Sequence, residues 1–131
     1  MKTITIDGTE YDLVPKDEAL VSDWRLPTTE ELLTLVKYEK YNPASDLADT
    51  ASSYYWSSTT YVHDEDYAFS VHFYIGNSYN NYKSVAYYVR CVKDGKHGLE
   101  WSASSNTEMD WHQAIEYAKN LEAPVYYKEP R

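Results

Sequence analysis

Residues 67–75 alternate without interruption, with Tyr67, Phe69, Val71, Phe73 and Ile75 on one phase and Ala68, Ser70, His72 and Tyr74 on the other. A period of two cannot form one face of a helix, so this stretch predicts a β-strand with the first phase in the core. Gly76-Asn77-Ser78-Tyr79-Asn80-Asn81-Tyr82 reads as a turn-rich loop, and residues 85–92 as the returning strand of a long hairpin. Asp94-Gly95-Lys96-His97 then turns the chain into residues 98–102, giving at least three consecutive antiparallel strands.

Two helices interrupt the strands. Thr28 and Glu31 have the spacing of a capping box, and Leu32, Leu35 and Val36 continue at helical intervals, which predicts a helix over about residues 29–40. Asp110 and Gln113 repeat that signature before the stripe Trp111, Ala114, Ile115, Ala118 and Leu121, and Pro124 stops this second helix. At the N-terminus two alternating segments flank Asp7-Gly8, a pair suited to positive φ, and predict a hairpin that ends at Pro15 and leads into a charged connector. Strands in hairpins with two separate helices make the class α+β.

The 131 residues suit one domain. Cys91, the lone cysteine, excludes an intrachain disulfide, and on the phase of Val85, Tyr87 and Val89 it belongs in the core rather than in catalysis. With 12 basic against 21 acidic side chains and a net charge of −9, the chain has the wrong sign for gripping a phosphate backbone, so direct nucleic-acid binding is disfavoured. No apolar run is long enough to span a membrane and the first residues lack the apolar stretch of a secretory signal, so the expectation is an unexported, cytoplasmic protein. Charge is concentrated at the two ends, whereas residues 51–93 hold nine of the 15 tyrosines.

Trp24-Arg25-Leu26-Pro27-Thr28 with Glu30-Glu31-Leu32, then Tyr55-Trp56-Ser57-Ser58-Thr59, residues 68–76 and Val89-Arg90-Cys91-Val92 together resemble the C-terminal domain of the Legionella collagen-like adhesin. The resemblance covers roughly residues 23–93 and implies a C-type-lectin-like fold from a family of bacterial and phage domains. In that family a Gly-Leu-x-Trp strand and a Trp-x-x-Ala-x-x-Tyr-Ala helix precede the Trp-Arg-Leu-Pro motif. Here Gly98-Leu99-Glu100-Trp101 and residues 111–118 follow it, so the order reads as circularly permuted, with a truncated second copy as the alternative. The expected domain is then a single lectin-like unit over residues 1–131, in which 1–22 are an added hairpin, 23–93 the family-like region and 98–121 the permuted strand and helix. Permutation places Trp111, Ile115 and Ala118 in the same core as Leu32, Leu35 and Val36.

His63-Asp64-Glu65-Asp66 is the sharpest polar cluster, but the motifs of calcium-dependent sugar binding are missing, so no metal and no cofactor are expected. The four histidines, 63, 72, 97 and 112, lack metal-pair spacing, and Arg25 reads as a structural donor. Candidate partner-binding residues are Tyr61, Tyr74, Tyr79, Asn80, Asn81, Tyr82 and Tyr88, because tyrosine and asparagine suit adaptable contact surfaces, with Asp64, Glu65 and Asp66 steering a basic protein toward them. Tyr74 and Tyr88 are expected on one exposed sheet face. The function expected is binding without catalysis, by a small phage- or mobile-element-type effector that inhibits a host or defence protein. The competing expectation is an adhesion or virion module for a glycan or surface protein.

Overall fold

A computed structural model describes residues 2–13 and 23–129; Pro15 and the charged connector lie outside them. The N-terminal hairpin pairs β1 (Lys2–Ile6) with β2 (Thr9–Leu13), and its two-residue turn has Asp7 at φ 51° and Gly8 at φ 81°, as the Asp-Gly pair requires. Next come α1 (Thr29–Leu33), β3 (Tyr54–Thr60), β4 (Tyr67–His72) and β5 (Asn77–Tyr82), followed by β6 (Arg90–Asp94), β7 (Leu99–Ser104), α2 (Trp111–Lys119) and β8 (Tyr127–Lys128). The larger sheets are antiparallel, with orders β3-β4-β5 and β6-β7-β8. The α+β class is therefore as read.

Four details differ from the sequence reading. The first helix stops at Leu33 instead of residue 40, because the chain then turns to let Lys37 N–H donate to Ala44 O at 2.8 Å, while Leu35 and Val36 still reach the core from the turn. β4 ends at His72, and Phe73 to Gly76 form a turn. The expected loop of residues 76–82 is a strand, so β4 pairs with β5 and not with residues 85–92. In that later segment Tyr87 and Tyr88 make isolated bridges, and the ladder proper, to β7, begins at Arg90.

Two cores lie on opposite sides of this strand layer. Trp24, Leu26, Trp56, Ala68, Tyr87, Val89 and Cys91 pack with Ala114 and Ala118 of α2, whereas Leu32, Leu35, Val36, Tyr55, Val71, Phe73, Val92 and Trp101 form a second cluster under α1. Neighbours along one strand, Tyr55 and Trp56 or Cys91 and Val92, thus serve different cores, as alternation demands. The shared core expected for the two helices is not found, since each packs on its own side. The expected core phase of β4 holds at Val71 and Phe73, which are buried, but the other phase reaches a core too: Ala68 and Ser70 are fully buried, while Tyr67 and Phe69 are only half-buried.

Each helix is held by its predicted cap. Thr28 Oγ1 accepts from Glu31 N–H and Glu31 accepts in return from Thr28 N–H; Asp110 and Gln113 do the same for α2. Arg25 forks onto Glu31 at 2.7 and 2.9 Å, in the structural role expected of it, and this hydrogen-bonded guanidinium holds the Glu31 carboxyl below the usual carboxylate range.

Candidate functional site

The sheet β3-β4-β5 carries five of the 15 tyrosines, Tyr54, Tyr55, Tyr67, Tyr79 and Tyr82, and its pleat sorts them onto two faces. On one, Tyr54 stacks on Tyr87 with centroids 4.7 Å apart and meets His72 at 4.2 Å and Tyr79 at 5.8 Å. Partial burial there lowers the His72 pKa, because desolvation disfavours the charged imidazolium. On the other face Tyr67 lies 4.3 Å from Tyr82, and Tyr61 packs edge-on against Phe69 at 5.7 Å. A hydrogen bond with Tyr82 raises the Tyr67 phenol to about 12.

The candidate residues do not form one patch. Tyr79 and Tyr82 sit on β5, 44% and 53% exposed, with Asn80 exposed between them. Tyr74, 43% exposed, lies in the turn before β5, near Tyr41. Asn81 is committed to structure: its amide donates to Tyr87 OH at 2.9 Å and its Oδ1 accepts from Tyr82 N–H. Tyr88 is half-buried against Tyr55 in the second core, which corrects its expected place beside Tyr74 on an exposed face. Tyr61 is half-buried, and Asp64, Glu65 and Asp66 are exposed in a turn where Asp64 Oδ1 accepts from Asp66 N–H at 2.9 Å.

Grooves flank β5 at both ends. One of about 580 Å³ is lined by Glu65, Asp66, Tyr82, Lys83, Ser84, Asp110 and His112. Lys83 reaches from it to lie 4.2 Å over the Trp111 ring. The other, about 370 Å³, is lined by Leu33, Tyr38, Gly76, Asn77, Ser78 and Tyr79. Tyr38 and Tyr41, each 72% exposed, were not singled out from the sequence, where Tyr38 fell inside the expected helix. Among the described residues no three His, Cys, Asp or Glu side chains are placed to hold a metal ion. Cys91 is fully buried, and burial pushes its thiol up to about 12. No helix of the described residues is long and apolar enough to cross a membrane.

Residues 12–93 match the family described as the Lcl C-terminal domain. The chain belongs to that family. The match takes in the caps of α1, all of β3, β4 and β5 and all of β6 but Asp94, and it stops before β7. Comparison with curated proteins and with solved structures finds no match. Membership of the Lcl family fits a binding module related to adhesins. Both grooves, apart from Asp110 and His112, fall inside the matched range.

Proposed function

We propose that this Lcl C-terminal domain is a non-catalytic adhesion module that binds a neutral glycan through the two ends of β5. One observation carries the reading: a strip of tyrosine, asparagine and serine without a charged side chain, Asn77–Tyr82, exposed except at the half-buried Asn81, runs between two grooves, each with a tyrosine on its wall. Tyrosine rings offer apolar faces to the C–H faces of sugars, and amides and phenols supply adaptable hydrogen bonds to hydroxyls. The surrounding negative charge disfavours polyanionic glycans, and the uncharged strip leaves neutral ones unopposed.

The test is retention. Immobilised protein is expected to hold whole bacterial cells or neutral polysaccharide, with binding little affected by moderate salt. The pair Tyr38→Ala and Tyr82→Ala, each on a wall and more than half exposed, is expected to weaken binding at least about tenfold without moving the melting temperature. A protein that ignores polysaccharide and instead forms a stoichiometric, salt-sensitive complex with a basic protein at Glu65, Asp66 and Asp110 would replace this reading with that of an inhibitory effector.

A further inference from the structure

Among the described residues β5 is an open edge of its sheet, and the pairing of β4 fixes which of its backbone groups turn outward. Tyr67 N–H donates to Asp64 O, Tyr67 O accepts from Tyr61 N–H, and Phe69 O accepts from Ser57 Oγ, so the odd residues of β4 turn toward β3. Ala68, Ser70 and His72 therefore bond to their register partners Asn81, Tyr79 and Asn77, and Ser78, Asn80 and Tyr82 turn their backbone groups away from the sheet. The groups of Tyr82 are taken, because its carbonyl accepts from Val85 N–H and its N–H donates to Asn81 Oδ1. Ser78 and Asn80 are exposed, and among the described residues their outward N–H and C=O groups have no partner.

Natural sheets close such edges with prolines, lysines, bulges or shortness. β8 is only two residues long and β3 is covered by Tyr88, whereas β5 runs six residues in unbroken register with no proline and no charge. Its free groups are also self-complementary. If a second β5 runs antiparallel about a two-fold axis at Tyr79, Ser78 faces Asn80 of the second copy and Asn80 faces Ser78, so all four free groups at each edge are matched. Tyr79 then faces itself, and Asn77 faces Asn81. Two copies of net charge −9 repel elsewhere, but this strip brings no charged side chain against another.

We propose that β5 pairs antiparallel with β5 of a second copy about a two-fold axis at Tyr79, joining two three-stranded sheets into one of six strands. The contact is isologous and consumes both open edges, so assembly stops at the dimer. It rests on the backbone of β5 and not on the glycan reading. Antiparallel pairing also brings the Tyr38 groove of one copy beside the Tyr82 groove of the other, so the two would present paired sites to an extended ligand.

The full chain is examined by sedimentation across a concentration series, and a shift from monomer to twice the monomer mass is expected. Asn80→Pro removes one outward N–H and is expected to raise the dissociation constant at least about tenfold. Because that variant can also disturb the fold, Tyr79→Cys provides an independent reading. Facing residues of a wide antiparallel pair have Cα atoms about 4.5 Å apart, within disulfide reach. Mild oxidation of Tyr79→Cys should give a crosslinked dimer at least about tenfold faster than Tyr126→Cys, since position 126 is equally exposed in the native chain and buried Cys91 does not compete. Equal crosslinking of the two variants, or a wild-type chain that stays monomeric at the highest concentration, overturns the proposal.

Discussion

Arg90 is the most buried charge among the described residues, with 2% of its side chain exposed, and it lies 5.6 Å from the centroid of the Tyr126 ring within a set of directed hydrogen bonds. Its guanidinium donates to both oxygens of Asp49, to Ser102 O at 2.9 Å and to Thr50 Oγ1 at 3.1 Å, and Asp49 also accepts from Ser104 N–H at 2.8 Å. Removing the carboxylate strands a buried cation, so Asp49→Ala should cost about 3–5 kcal/mol in urea unfolding. Burial alone would raise the Asp49 pKa, but the hydrogen bonds from Arg90 and Ser104 outweigh it and the pKa is lowered. A carboxyl depressed by folding stabilises above its unfolded pKa, near 4, and that contribution disappears as pH falls through the folded value. The stability difference between wild type and Asp49→Asn should therefore be flat from about pH 5 to 8 and shrink below about pH 4. None of this was legible beforehand. Arg90 stands in the motif Val89-Arg90-Cys91-Val92, but nothing in the chain order points to a partner 41 residues earlier.

The elements that were legible carry contrast in their sequence. α2 announces itself by a capping box and an apolar stripe, and both are present as read. β5 carries no contrast, because an exposed edge has no apolar face to alternate with, and asparagine, serine and tyrosine then look like turn residues. The end of β4 was equally hidden, since Phe73 and Ile75 keep the period while the backbone leaves it at a turn closed by Gly76 N–H to His72 O. Gly76 holds φ +90°, and a Cβ there would come within 2.4 Å of Val36 Cγ1 in the second core. Gly76→Ala should therefore lower stability by about 1–3 kcal/mol, from left-handed strain and overpacking together, as thermal or urea melts would register. Gly8 has open space around it and φ +81°, so the same substitution there should act through backbone strain alone.

The molecule as a whole extends beyond its family match. Residues after 93 supply β7 and β8, and they also supply α2, with Trp101 in one core and Ala114 and Ala118 in the other. They tie into the matched region by two indole hydrogen bonds, Trp56 Nε1 to Met109 O and Trp111 Nε1 to Ser57 O. A chain cut after His97 loses apolar packing on both sides of the sheet and should show no cooperative unfolding transition by near-UV circular dichroism. A truncated chain that melts sharply would make this segment an accessory.

Because the strand layer is clad on both sides, a substitution at Trp56, Cys91 or Trp101 is read by a core whichever way the side chain points. The margin at β5 is under no such double audit. Side chains at positions 79, 80 and 82 can be exchanged without repacking either interior, so the scaffold is able to acquire a new recognition surface while its fold stays as it is.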